Sequence, residues 1–262
     1  MRTPCRRWRN RGVTGATCTE AARAKAALQP PFSLIGKLGA LAILSRMPEL
    51  SRPSAPAPAH LSIEGLRALH VGPIALQAAR GECIAILGPS GSGKSVFLRL
   101  VADLDPGEGR VVLDGIDRAA LSGPEWRRRV IYQAAEPAWW GMGVAEHFPA
   151  GLDSGVLAGW IAELGLPRDV LQADIARLST GERQRLALLR SLAHRPVVLL
   201  LDEPTASLDP ATTLAVEALL AREQAAGLTL LWVTHSHEQA ARVAARHLEL
   251  NAGRLQPAGN VA

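Results

Sequence analysis

Residues 88–95 read Gly-Pro-Ser-Gly-Ser-Gly-Lys-Ser, and no other stretch restricts the fold of this chain as strongly. Glycines at this density let the backbone turn so that successive N–H groups point inward around a cluster of anionic oxygens. The apolar run CIAIL (83–87) precedes the segment and has the length of a buried strand; after it, Val96, Phe97, Leu100, Val101 and Leu104 recur at helical spacing. A strand, a glycine-rich turn and a helix in that order fit the pattern G-x-x-x-x-G-K-[ST], and the positive end of the helix adds to the pull on phosphate. The pattern assigns Gly88, Pro89, Ser90, Gly91, Ser92 and Gly93 to the phosphate cradle. Lys94 is expected to reach the β- and γ-phosphates of a nucleotide, and the Ser95 hydroxyl to ligate Mg²⁺.

The rest of the chain repeats this rhythm. LSIEGL and the stretch to Gln77 read as short strands, RVVLDG (110–115) as another strand and turn, and VVLLL (197–201) and LTLLWV (228–233) as fully apolar runs. Apolar runs without alternation are what central parallel strands look like, because both faces are covered. Strands alternating with helices predict an α/β fold with a parallel, doubly wound sheet. Residues from about 138 to 180 contain no strong strand run and are predicted to form an inserted helical subdomain.

VVLLLDEP (197–204) supplies the second half of the chemistry. Acids at the C-terminal end of a central strand lie where ligands bind in such sheets. Asp202 is expected to hold Mg²⁺, directly or through water, and Glu203 to orient or deprotonate an attacking water.

Charge divides the chain in two. Residues 1–58 carry ten Lys/Arg against Glu20 and Glu49, whereas residues 59–262 carry 19 basic and 22 acidic residues. The high overall pI therefore belongs to an Ala-, Arg- and Pro-rich extension ending in SRPSAPAPA, which reads as a disordered tail with Met47 as an alternative start. The mildly acidic remainder, 59–262, is read as one ATPase domain and argues against a nucleic-acid partner. Cys5, Cys18 and Cys83 have neither metal-site nor disulfide-framework spacing, which suits a reducing compartment. No apolar stretch approaches the ~20 residues that cross a bilayer; Phe32 to Leu44 is short and broken by Lys37.

LSTGERQR (178–185) resembles the signature of the ABC ATPases, whose usual form is LSGGQ or LSGGE followed by a basic-Gln-Arg run. SLD (207–209) resembles that family's loop joining two sites across a dimer, and His235 in WVTHS its switch histidine on the γ-phosphate. The resemblance covers about residues 60–256. It implies a P-loop NTPase (RecA-like) parallel sheet core with an N-terminal antiparallel β region, ATP as ligand, a homodimer of ATPase subunits in which Ser179 and Gly181 of one chain close on the nucleotide of the other, and Asp209 at the coupling loop. It also implies a separate transmembrane permease subunit, placing the protein at the cytoplasmic face of the inner (plasma) membrane. Three positions depart from the pattern. The adenine-stacking aromatic is replaced by Leu69 and His70, and alignment of VIYQAAEP puts Ala135 at the lid glutamine, leaving Gln133 or Glu136 to take that part. Thr180 stands where glycine is usual and could crowd the nucleotide. QRLALLRSLAHRP, LWVTHSHEQ, the WRRRVIY segment and the short stretch after Gly253 together resemble the FetA/YbbL group, implicated in iron export. Trp139 and Trp140 read either as lining for a permease segment or as packing within the subdomain, and Arg127–Arg129 as a solvated face. Two other functions stay open: a soluble ABC ATPase of DNA repair or translation, and a non-catalytic nucleotide-binding regulator.

Overall fold

A computed structural model of the protein describes residues 59–258. The extension expected over 1–58, with the alternative start at Met47, lies outside them. In chain order the strands are β1 (Leu61–Ala68), β2 (Val71–Ala78), β3 (Cys83–Leu87), β4 (Glu108–Leu113), β5 (Ile116–Asp117), β6 (Val130–Gln133), β7 (Val198–Asp202), β8 (Thr229–Val233), β9 (Arg246–Asn251) and β10 (Arg254–Pro257). The α-helices are α1 (Lys94–Val101), α2 (Gly123–Arg129), α3 (Ser154–Glu163), α4 (Thr180–Ala193), α5 (Pro210–Ala225) and α6 (His237–Val243).

These strands form two sheets. One is antiparallel, in the order β2-β1-β4-β5; the other runs β10-β9-β3-β8-β7-β6 and is parallel except for the β10 edge. Successive side chains of a strand point to opposite faces, so the parallel sheet feeds two cores. Cys83, Ala85 and Leu87 of β3 join Leu199, Leu201 and Trp232 in a layer with Leu157 and Trp160 of α3, Leu186 and Leu189 of α4, and Leu219 of α5. Ile84, Ile86, Leu200 and Val233 face the other way, onto Phe97 and Leu100 of α1 and the inner residues Leu61, Ile63, Ile74 and Val111 of the antiparallel sheet. Burial on both faces is the reason CIAIL, VLLLD and TLLWV lack alternation.

The predicted parallel core and antiparallel region are both present. The segment 138–180 is less helical than expected: before α4 it holds one α-helix, α3, and the single 3₁₀ turns Val144–His147, Val170–Gln172 and Ile175–Arg177. Its composition explains the difference. Gly141, Gly143, Gly151 and Gly165 with Pro149 and Pro167 interrupt any longer helix. Asp153 starts α3 by accepting the N–H groups of Gly155 and Val156. Strand β9 extends the parallel sheet beyond β3 without an apolar run in the sequence, its residues being mostly half-buried.

Candidate functional site

The site is built where strands end. Ile86 of β3 is level with Val233 of β8, and Val233 with Asp202 of β7. The Thr234 N–H donates to the Ile86 carbonyl (3.3 Å) and the Glu203 N–H to that of Val233 (3.1 Å), so one row of pairing continues past the strand ends. The phosphate loop, His235 and the Asp202–Glu203 pair therefore leave the sheet side by side, with β8 between the loop and the acids.

Within the loop, glycine is required by space as well as conformation. Gly88 has φ 140°, and a Cβ there would strike the Leu250 carbonyl; Gly93 has φ 99°, and a Cβ there would strike Val71 of the antiparallel sheet. Helix α1 starts at the next residue. The Lys94 ammonium donates to the carbonyls of Gly88 (2.8 Å) and Pro89 (2.9 Å), folding the side chain back over the loop. Burial lowers the Lys94 pKa, partly offset by the negative charges of Glu203 and Asp202.

Asp202 is buried, and its Oδ2 accepts a hydrogen bond from the Tyr132 hydroxyl at 2.9 Å. Glu203 is partly exposed and has a left-handed backbone, φ 48°. Its Oε1 lies 2.8 Å from Nε2 of His235. Gln184 of α4 holds the turn that follows: its amide donates to the Glu203 carbonyl (3.0 Å) and accepts from the Ser207 N–H (3.3 Å). A second buried amide, Gln239, accepts from the Thr234 hydroxyl (2.8 Å) and donates to Thr205 and Glu217 (2.9 Å each), pinning the loop that carries His235. Glu203, Thr205, His235 and Gln239 line one open cleft of about 470 Å³.

The signature segment is a helix start. Ser179 caps α4, accepting the Glu182 N–H at 3.2 Å, and the Glu182 carboxylate accepts in return from the Ser179 N–H (2.9 Å) and hydroxyl (2.7 Å). Gly181 lies against Ser207 and Leu208, so the signature helix and the SLD loop touch. Asp209 caps α5 through the Thr212 N–H (3.0 Å) and hydroxyl (2.6 Å). Gln133 and Glu136 are separated: Gln133 is 3% exposed, with neither amide atom hydrogen-bonded, whereas Glu136 lines an open groove with Thr180, Arg183 and Gln184. Leu69 stands exposed at the β1–β2 turn, and His70 lies close to Gly93. Trp139 and Trp140 both lie under the Arg190 guanidinium, 4.6 and 4.9 Å from the ring centroids, and both flank His147.

The family model "ABC transporter" matches residues 71–206. The chain belongs to the ABC transporter family. The thiamine import ATP-binding protein ThiQ of Escherichia coli is 38% identical over 69% of this chain and 82% of its own length. Protein STAR1 of Oryza sativa is 36% identical over 64% of this chain and 51% of its own, so the chain spans about half of that relative. Among solved structures, a dimeric ATP-binding cassette in a post-hydrolysis state with ADP and Pi superposes with a TM-score of 0.66, 25% identity and coverage of 75% of this chain and 98% of the other. As an ABC ATPase domain the chain carries the nucleotide loop, the two acids and the histidine in one row. Among the described residues no helix is long and apolar enough to cross a membrane.

Mg²⁺ fits the donors offered. The Ser95 hydroxyl and Asp202 carboxylate are hard oxygen donors of the kind this ion takes, and no cluster of three or more His, Cys, Asp or Glu forms among the described residues. An ion that takes most of its ligands from phosphate and water needs no more. Sequence reasoning missed Tyr132, Gln184 and Gln239. Neither the local sequence around the two glutamines nor a lone Tyr in a short strand gives a sign of partners such as Glu203 for Gln184, 19 residues away, Thr205 for Gln239, 34 away, and Asp202 for Tyr132, 70 away.

Proposed function

We propose that this chain is the ATP-hydrolysing subunit of an ABC transporter and works as a homodimer with a separate transmembrane permease at the cytoplasmic face of the membrane. The observation that carries the reading is the row of strand ends, which gathers Lys94, Asp202, Glu203 and His235 beside the Gly88–Ser95 loop. Backbone N–H groups of the loop and Lys94 bind the phosphates. Ser95 and Asp202 hold Mg²⁺, which when bound neutralises charge on the phosphate oxygens. Glu203 orients or deprotonates water, and His235 steadies both that carboxylate and the γ-phosphate. Ser179 caps the exposed N-terminus of α4, and Gly181 in its first turn offers an N–H group, the two together facing the nucleotide of a second subunit. Phosphoryl transfer depends on such positioning and charge stabilisation more than on covalent chemistry.

Glu203→Gln is the decisive variant. It is expected to retain ATP binding and lose turnover by roughly 10²–10³; a variant that hydrolyses ATP like the parent would remove Glu203 from the mechanism and favour a nucleotide-binding regulator. Cargo is the finer question. The wording of residues 184–196 and 231–239 supports a metal (iron) exporter of the FetA/YbbL type, whereas ThiQ is named for thiamine import. Co-purification of the permease, followed by transport of labelled iron in inverted and right-side-out vesicles, separates export from import.

A further inference from the structure

We infer that Tyr132, the chain's one tyrosine, is a positioning residue that sets the orientation of the metal-binding carboxylate. The inference rests on the reading of Asp202 as the Mg²⁺ ligand. Strand β6 pairs in parallel with β7 so that Tyr132 is opposite Leu200, and Asp202 lies two residues further along the same face. That diagonal is within reach of an aromatic side chain but not of a short one. The Tyr132 hydroxyl meets Asp202 Oδ2 at 2.9 Å, the only hydrogen bond to this carboxylate among the described residues. Asp202 is buried, so its rotation is governed by that one donor.

The neighbouring residue cannot substitute. Val130 and Tyr132 pack on the face of the sheet that meets α1, and Ile131 on the opposite face. Alternation sends Gln133 with Ile131, away from Asp202. With Oδ2 held by Tyr132, Oδ1 is the carboxylate oxygen left for the metal. A metal ligand oriented by a hydrogen bond from behind binds its ion more tightly than a freely rotating one.

The test compares Tyr132→Phe with Asp202→Asn in the full-length protein, using Mn²⁺ as the probe and paramagnetic resonance of free Mn²⁺ as the readout, with ADP bound. ADP binding in EDTA and the melting temperature are measured alongside. Tyr132→Phe keeps the ring and is expected to weaken Mn²⁺ uptake by about tenfold or more, with metal-free ADP binding and melting unchanged. Asp202→Asn is expected to abolish Mn²⁺ uptake. Unchanged uptake in Tyr132→Phe with loss in Asp202→Asn overturns the role of Tyr132 alone. Unchanged uptake in Asp202→Asn overturns the underlying reading of the metal site. A Tyr132→Phe protein that melts early and loses metal-free ADP binding to the same degree overturns the inference in favour of simple packing.

Discussion

Nε2 of His235 lies 2.8 Å from Oε1 of Glu203, joining the loop after β8 to the acid after β7. The two side chains are partly exposed, so the contact is open to a ligand and is worth little to the fold itself. Its value is in direction: the imidazole fixes where the carboxylate points. His235→Ala is therefore expected to leave melting unchanged and to lower turnover by roughly 10²–10³ while weakening ATP binding far less. Steady-state ATPase assays beside equilibrium nucleotide binding check this. Equal loss of binding and turnover would show His235 to be a nucleotide-binding group instead.

Arg190 of α4 spans the two halves of its layer. Its guanidinium covers Trp139 and Trp140, and it donates to the Ala138 carbonyl at 3.0 Å. Two aromatic contacts and a hydrogen bond add to roughly 1–2 kcal/mol at a half-buried position. Arg190→Ala is expected to lower the melting temperature by about 2–8 °C, and Arg190→Lys to recover only part, because the planar fork is what stacks and donates together. Calorimetry of the three proteins decides it. Trp140 and Met142, both exposed beside this cluster, should lose their ordered setting in the same variant, visible as a shift in Trp emission.

Cys83 opens β3 and is buried within the sheet, and this burial pushes its thiol pKa up to about 12, with the Glu82 charge adding to the effect. The folded state thus binds the proton more tightly than the unfolded chain, where a thiol titrates near ~8.5. The stability contributed by the neutral thiol is complete below that pH and declines as pH rises from there toward about 12. Alkylation followed by mass spectrometry of the Cys83 peptide should show no modification of native protein at pH 8, and rapid modification once urea unfolds it. Native-state labelling at pH 8 would contradict the buried, protonated thiol.

What could be read without coordinates follows a physical division. Gly88–Ser95, Asp202 and Glu203 are legible because their demands are local: a loop that wraps phosphate needs glycine, and a buried strand needs an unbroken apolar run. The parallel core followed from the same runs, whereas the antiparallel region was implied by the resemblance to the ABC ATPases. Strand β9 was not legible, because pairing with β3 rather than composition makes it a strand. The helical content of 138–180 was overestimated because absence of strand runs says nothing about how glycine and proline divide a segment. Tyr132 was visible as a residue but not as a partner of Asp202; that bond depends on the β6–β7 register. Gln184 and Gln239 are buried amides whose roles exist only once distant segments are folded around them, backbone for Gln184 and the side chains of Thr205 and Glu217 for Gln239.

Glu203 holds a left-handed backbone that glycine would adopt without cost and that a glutamate adopts only because its neighbours impose it. A residue in that conformation carries of order 1–3 kcal/mol of strain. Selection for thermal resistance alone would empty this position of its side chain. The domain is therefore kept short of its own stability maximum at the residue whose carboxylate is proposed to act on water, and variants that harden the protein are to be sought away from this turn, on surfaces remote from the proposed nucleotide and dimer contacts.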